Sequence, residues 1–113
     1  MGYRSDVAIA LRREDWIRLR REAVENGHFD SQKEFDLFLP KIMERNDCVV
    51  LYGTDIKWYD FCYDDIKFIA NFLEGVEHQF LRIGEERGDV EEKNTFKNGE
   101  FFFMPQTTIT FGV

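Results

Sequence analysis

Three carboxylates lie close together where a predicted strand gives way to a predicted helix: Asp60, Asp64 and Asp65. Carboxylate oxygens are the ligands that Mg²⁺ and Ca²⁺ prefer, so this cluster can hold a divalent ion in a small metal-dependent enzyme. The same residues also suit a helix start, because acidic side chains complement the positive end of the helix dipole. The helix-start interpretation is favoured, and the metal site is kept as an alternative.

Other catalytic chemistry has little support. His28 and His78 are isolated from other ligands, and Cys48 and Cys62 are too far apart for a C-x-x-C zinc site. The sequence contains no G-x-S-x-G nucleophile element and no phosphate-binding glycine loop. Both cysteines have apolar or aromatic neighbours and are predicted to be reduced and buried. We therefore expect no cofactor, and a binding function is favoured over an enzyme.

The densest charge in the chain is an acidic run at residues 85–92, which hold five carboxylates and one arginine. Ordered carboxylates can substitute for phosphates at basic sites meant for nucleic acid. The run is therefore predicted to bind a protein partner, for which a nucleic-acid-handling protein is one candidate. The alternative is a solubilising mobile loop. The predicted contact residues in the run are Glu85, Glu86, Asp89, Glu91 and Glu92.

The net charge of −7 is unevenly distributed along the chain. The first 21 residues carry six arginines against three carboxylates, whereas the rest holds nine Lys/Arg against nineteen Asp/Glu. Arginines in the first helix recur at i, i+4 spacing with carboxylates, which is typical of a solvated helix face. Because nucleic-acid affinity depends on clustered basic residues, direct nucleic-acid binding is not expected.

Aromatic residues form two clusters with open interpretations. Residues 58–63 include four aromatic side chains, and strand alternation directs them to both faces, one of which is either covered or available to a partner. Trp58 is included among the predicted partner-binding residues on this ground. In Phe101–Phe103, Phe102 must point opposite to its neighbours if the segment is a strand. Homo-oligomerisation through this strand is a further alternative.

The spacing of apolar residues predicts three helices. The first covers about 13–26 and ends at Gly27, where a left-handed residue suits a helix C-terminus. The second starts at the capping box Ser31–Glu34. Pro40 is expected either to kink this helix or to end it and open a new turn. The third helix covers about 64–74.

Strands are predicted where the apolar period changes to two. The first covers 3–11, and the second continues from Cys48 to Tyr59 across Gly53-Thr54, where a bulge is preferred over a tight hairpin. The third covers 79–84, and the acidic run is expected as a loop or a frayed extension of it. The last strand segments are 100–104 and 107–111.

The predicted order is β-α-α-β-α-β-β in a single domain over residues 1–113. Because strands and helices do not alternate regularly, the predicted class is α+β, with an antiparallel or mixed sheet of about four strands and helices on one face. A ferredoxin-like arrangement with an inserted helix is one candidate. No apolar run is long enough to span a bilayer and no secretory signal is present, so a cytoplasmic protein without a membrane partner is expected.

Three short stretches resemble small proteins predicted in bacteriophage and prophage genomes: Gly-Tyr-Arg-Ser-Asp-Val-Ala at 2–8, Asp-Ile-Lys-Trp-Tyr at 55–59 and Phe-Leu-Arg-Ile-Gly-Glu-Glu at 80–86. The resemblance implies a phage setting and the cytoplasm of the host cell, but no activity and no catalytic residue. The leading hypothesis is a non-enzymatic phage accessory protein that binds a host or phage protein through an acidic surface. The alternatives are the metal-dependent enzyme and a homo-oligomeric structural protein.

Overall fold

In the computed structural model, the described residues are 4–58, 64–86, 88–104 and 110–111. They form three helices and a five-stranded sheet, so the α+β class is confirmed. The helices are α1 (Arg13–Glu25), α2 (Gln32–Phe38) and α3 (Asp64–Glu74). The strands are β1 (Ser5–Arg12), β2 (Lys41–Arg45), β3 (Cys48–Ile56), β4 (His78–Gly84), β5 (Val90–Asn94), β6 (Phe103–Met104) and β7 (Thr110–Phe111).

The sheet has the strand order β2-β3-β1-β4-β5, and all neighbouring strands are antiparallel. β1 lies at the centre, where it pairs with β3 on one side and with β4 on the other. Side chains alternate along a strand, so Ile9 and Leu11 face one side of the sheet, while Ala8 and Ala10 face the other. All four are fully buried, so both faces of the central strand are covered.

The helices α1, α2 and α3 cover one face of the sheet, as predicted. Their buried residues include Leu19 of α1, Phe35 of α2 and Ile69 of α3, which belong to one cluster with Ile9 and Leu51 of the sheet. Burial of apolar surface contributes roughly 25 cal/mol per Å². Because the large apolar side chains are concentrated on this face, it holds the main hydrophobic core.

Helix boundaries follow local signals in the sequence. α1 is followed by Gly27 with φ of +78°, a left-handed conformation that favours glycine. The Oγ of Ser31 accepts a hydrogen bond from the Glu34 amide at 3.2 Å, which satisfies a backbone donor at the start of α2. α3 has the predicted bounds, residues 64–74. Capping and apolar spacing therefore locate all three helices of the described chain.

The opposite face of the sheet is covered by residues that follow β5. Phe96, Phe102 and Phe103 belong to a second core cluster with Ala10 and its neighbours. Phe102 and Phe103 are both buried although they are adjacent, because Phe102 lies in a bend before β6 and not in the longer strand predicted over 100–104. Phe101 is the exposed member of the three.

Two further predictions were wrong. Residues 41–45, expected as a new turn after Pro40, form β2. The acidic run 85–92 was expected as a loop or a frayed extension of the preceding strand, but its residues 90–92 belong to β5, whereas 85, 86, 88 and 89 lie in the turn. The count of about four strands and the order β-α-α-β-α-β-β are corrected accordingly. Both segments are rich in charged residues with low strand propensity, so pairing with a neighbouring strand decided their conformation.

Two predicted irregularities are present. α2 ends at Phe38, so Pro40 breaks the helix. β3 runs through Gly53 and Thr54 as one strand, and its pairing with β1 shifts register between Gly53 and Ile56, which confirms the bulge. A Cβ on Gly53 would lie 2.9 Å from the carbonyl oxygen of Phe38, so the close approach of this backbone requires glycine.

Candidate functional site

The described residues of the acidic run lie on a β-hairpin formed by β4 and β5, which we call the acidic hairpin (residues 78–86 and 88–94). Five consecutive residue pairs join the two strands in regular antiparallel register. The amide of Gly84 donates to the carbonyl of Asp89 at one end, and the amide of Thr95 donates to that of His78 at the other, both at 2.8 Å. Gly88 has φ of +84°, which favours glycine in the turn. Glu91 and Glu92 are therefore carried by a hydrogen-bonded strand, whereas the other three carboxylates of the run lie in the turn between β4 and β5.

Arg82 organises the carboxylates of the hairpin. Its Nε donates to Glu91 at 2.6 Å, and its two terminal nitrogens donate to Asp89 at 3.2 and 2.8 Å. It also donates to the Oγ of Ser5 at 3.0 Å. The Arg82 side chain is only 11% exposed, so water competes poorly for these charge-assisted bonds. The hydrogen bond to Asp89 contributes most to raising the pKa of the guanidinium, which keeps Arg82 charged.

The remaining carboxylates of the run differ in their contacts. The Oε1 of Glu85 accepts a hydrogen bond from the backbone amide of Arg4 at 2.6 Å, which ties the turn to the start of the described chain. Glu86 is exposed in the turn. The side chain of Glu92 lies on the sheet face opposite to Glu91, and within the described ranges no hydrogen bond or ion pair involves its carboxylate. Glu92 is thus available to a partner.

Trp58 lies beside the acidic hairpin, although it is distant from it in sequence. It is buried, with its ring centroid 5.7 Å from that of Phe80 on β4. Trp58, Glu91 and Glu92 line one depression of about 220 Å³ between α3 and β5. The structure thus brings Trp58 together with two of the five predicted carboxylates. The other lining residues are Ala70, Leu73, Glu74, His78, Phe80 and Lys93.

An ion pair connects α3 to the hairpin at the rim of this depression. The Nζ of Lys93 lies 3.0 and 3.1 Å from the two carboxylate oxygens of Glu74. Both side chains are about half exposed or more, so the pair contributes only about 0–1 kcal/mol to stability. Glu91 also lines the depression, and it shares Arg82 with Asp89. Because three carboxylates (Glu74, Asp89 and Glu91) are thus paired with Lys93 and Arg82, a net negative charge remains near the rim.

A second depression, of about 370 Å³, lies on the other face of the same hairpin. Leu81 and Glu92 line it from the strands, and Phe101 and Phe103 line it from the chain that follows β5. Phe101 is 53% exposed, and Val90 on β5 is also exposed. β5 is therefore flanked on both faces of the sheet by a depression that combines apolar and acidic groups.

The alternative aspartate site is only partly described. Asp60 lies outside the described residues. Asp64 is exposed at the start of α3, and the Oδ1 of Asp65 lies 3.0 Å from the Nδ1 of His28. His28 also stacks on the ring of Phe68, with centroids 4.7 Å apart, so Asp65 takes part in a contact that holds the loop before α2 against α3. In the part of the chain that the structure describes, no three His, Cys, Asp or Glu residues are grouped to hold a metal.

Cys48 is buried on the second face of the sheet, as predicted. The Nη1 of Arg12 donates to its Sγ at 3.5 Å. Burial raises the pKa of the Cys48 thiol above its usual value, and the Coulombic effect of Arg12 only partly opposes this. A raised pKa disfavours the thiolate that a nucleophile requires, so Cys48 has the character of a core residue. Cys62 lies outside the described residues.

The basic residues of α1 are paired with carboxylates on neighbouring elements as well as along the helix. Arg20 forms a bidentate pair with Asp36 of α2 at 2.8 and 2.7 Å. Arg13 pairs with Glu44 of β2. The arginine-rich start of the chain is therefore largely neutralised within the fold. The sequence predicts the i, i+4 pairs Glu14–Arg18, Arg18–Glu22 and Arg21–Glu25. The last two form at 3.8 and 4.0 Å, and Arg18 also lies 3.7 Å from Asp15.

Comparisons with protein-family models, with curated proteins and with solved structures find no match to this chain. Among the described helices, none combines the length and the apolar character that crossing a membrane requires. The case for function therefore depends on the geometry of the acidic hairpin.

Sequence reasoning missed Arg82, although a signal was present. Arg82 lies between Leu81 and Ile83, so strand alternation directs it to the opposite face, where Phe80 packs under the helices. An arginine in that position requires nearby carboxylates, because an unpaired buried charge is costly. No sequence pattern predicted the ion pair between Glu74 and Lys93, because it forms only where α3 and β5 are neighbours in the fold.

Proposed function

We propose that this protein is a non-enzymatic phage accessory protein that binds a host or phage protein through its acidic hairpin. The observation that carries the proposal is the arrangement around Arg82, which holds the carboxylates of Asp89 and Glu91 in fixed positions. Preorganised side chains lose less conformational entropy on association, so less of the favourable electrostatic energy is offset when a partner binds. The carboxylate of Glu92 adds negative charge on the other face of β5.

The chemistry of the site favours a basic partner surface. Carboxylates held along a hairpin can occupy positions that phosphates take on a basic protein, so a nucleic-acid-handling protein is the partner class that fits best. Clustered negative charge also accelerates encounter with a basic partner. The phage setting, and with it the cytoplasm of the host cell, is proposed from the resemblance of the three short sequence stretches.

We infer in addition that the sheet is a ferredoxin-like unit with an inserted helix and one added strand. The support is the order β2-β3-β1-β4 together with α1 and α3, which connect β1 to β2 and β3 to β4. On this interpretation α2 is the insertion and β5 is the addition. The candidate site then lies on the strand that the core arrangement does not require.

The alternative functions have less support. Asp65 is already engaged by His28, which weakens the argument for a metal-dependent enzyme built on the aspartates. Burial of Phe102 and Phe103 accounts for most of the aromatic segment that suggested a homo-oligomer. The acidic hairpin therefore offers the best-supported binding surface among the candidates.

Site-specific photo-crosslinking in phage-infected cells tests the proposal. A photoreactive residue replaces Glu86 or Glu92 on the hairpin, and Lys33, exposed on α2, is the control position. We expect one protein to be crosslinked from both hairpin positions and not from position 33. We also expect the crosslink from position 92 to be lost when Glu85 and Glu86 are replaced by lysine. A crosslink that forms equally from position 33, or that survives this charge reversal, would contradict the proposal.

A further inference from the structure

β5 is an outer strand of the sheet, and within the described ranges no strand pairs with its outer side. In an antiparallel ladder, residues that bond to the neighbouring strand alternate with residues whose backbone groups point away from it. The hydrogen bonds at Gly84 and Thr95, which close the two ends of the ladder, set the phase of this alternation. Glu91 therefore bonds to β4, whereas Glu92 and Asn94 direct backbone donors and acceptors outward.

The two depressions lie on opposite faces of this edge, and side chains of an added strand would point into them alternately. The helix-side depression combines Trp58 and Leu73 with the carboxylates of Glu74 and Glu91. The other depression combines Leu81, Phe101 and Phe103 with the carboxylate of Glu92. An edge of this kind offers main-chain hydrogen bonds for affinity and side-chain recesses on both faces for specificity.

We propose that an extended, basic segment of the partner protein binds by adding a sixth strand to the outer side of β5. This inference rests on the proposed function and specifies its mode of binding. Charge complementarity selects the occupant: residues 85–92 hold five carboxylates and one arginine, and Glu74 lies beside them on α3. Apolar side chains in the segment fit the face of Phe101. Lys or Arg side chains fit the face of Trp58, where the ring attracts cations and where Glu74 and Glu91, which are 67% and 61% exposed, can accept a second cation beside Lys93 and Arg82.

A second copy of the chain fits this edge poorly. Two acidic hairpins placed edge to edge would bring their carboxylates together, and like charges on adjacent strands are destabilising. An antiparallel pair centred on Glu92 would place the two Glu92 side chains opposite each other on the same face. A basic segment meets no such repulsion.

Proline at position 92 separates strand addition from simple charge attraction. Glu92→Pro removes an outward N–H that does not bond to β4, and proline is tolerated at such edge positions. Glu92→Gln is the matched control, because it removes the same charge and keeps the N–H. Circular dichroism and amide spectra of both variants verify that the hairpin is retained.

The probe is a synthetic octapeptide of alternating Arg and Val, compared with an octapeptide of the same composition arranged in two blocks. We expect the alternating peptide to slow amide exchange at Glu92 and Asn94 and to bind more tightly than the block peptide. Glu92→Pro should weaken its binding at least about tenfold relative to Glu92→Gln, through loss of a main-chain hydrogen bond and a steric block. If Glu92→Pro fails to fold, the alternating peptide with N-methylated amides along one side replaces it and should lose binding to the unaltered protein.

Four results would overturn strand addition. Equal affinity of the proline and glutamine variants, or of the two peptides, would show attraction by charge alone, while the crosslinking test of the proposed function could still succeed. Absence of binding by the alternating peptide would exclude a basic strand as the occupant, again independently of the crosslink. Concentration-dependent protection of Glu92 without peptide would identify a second copy as the occupant.

Discussion

The two edge strands of the sheet, β2 and β5, are both five residues long, but their outer sides differ. β2 follows Pro40 directly and contains a register shift between Lys41 and Met43 in its pairing with β3. Prolines and bulges of this kind are devices that prevent an edge strand from pairing with another chain. β5 has an unbroken register with β4 and a depression on each face. The comparison indicates that β2 is protected from pairing and that β5 is suited to it.

Charged residues also serve the two edges differently. On β2, Glu44 pairs with Lys41 and with Arg13 of α1, and Arg45 donates to the carbonyl of Phe101 at 2.9 Å. The charged groups of β2 are therefore paired with other groups of the same protein. On β5, the organising arginine comes from the inner strand β4, so the carboxylates remain at the surface. Charge on β2 is therefore paired within the fold. On β5, Glu91 and Lys93 are also paired, but Glu91 stays 61% exposed, and the carboxylate of Glu92 has no hydrogen bond or ion pair among the described residues.

The largest expected effect is the loss of Arg82. Arg82→Met keeps the apolar stem but removes the charge that Asp89 and Glu91 share, and we expect the free energy of unfolding to fall by about 2–3 kcal/mol. Lys41→Met at the other edge removes an exposed pair and should cost less than about 1 kcal/mol. Urea unfolding measures both. Equal losses at the two edges would break the comparison, since Arg82 would then contribute no more than a surface ion pair.

A smaller effect on stability is expected when pH is lowered, because Glu100 becomes protonated beside the turn that joins β2 to β3. The hydrogen bond from Asn98 has the largest effect in lowering the pKa of Glu100, and hydrogen bonds from Asn46 and Arg12 lower it further. A pKa lowered by folding gives stability that is present above the ordinary value and lost as pH falls through the folded value. We therefore expect the unfolding midpoint in urea to fall more steeply between about pH 6 and about pH 3 for the protein than for Glu100→Gln. Parallel curves for the two would contradict this.

The smallest effect requires no substitution. Amide hydrogen exchange along β5 should alternate, with slow exchange at Glu91 and Lys93, which bond to β4, and fast exchange at Glu92 and Asn94. β2 should show no such regular alternation, because its register shifts between Lys41 and Met43. Uniformly slow exchange along β5 would mean that its outer side is already covered, and the contrast between the two edges would no longer hold.

Much of the fold could be predicted because its signals are local. The Ser31 cap, the left-handed Gly27 and the apolar spacing of α3 depend on residues within a few positions of one another. β2 was missed because Ile42 continues the helical spacing of Phe35 and Phe38, so local periodicity was misleading. A better signal lay in the turn that follows β2: Asn46 and Asp47 have φ of +53° and +60°, and these residue types favour the tight turns of hairpins.

The candidate site was predictable only in its composition. The acidic run and Trp58 were identified from residue type, but their proximity was not, because Trp58 and β5 are more than thirty residues apart in sequence. The strand character of residues 90–94 was also beyond local reasoning. After Val90, the segment Glu-Glu-Lys-Asn contains no β-branched or aromatic residue, so only pairing with β4 makes it a strand.

The sequence by itself determined the α+β class, the three helices, the first strand and the position of the densest negative charge. These follow from apolar periodicity, capping and composition, which act over short stretches of chain. Only the tertiary structure decided that residues 90–92 of the acidic run lie on an edge strand, that Arg82 holds Asp89 and Glu91, and that Trp58 lies beside this strand. Strand pairing and ion pairing depend on which distant segments meet in space, and that is decided by the packing of the whole core.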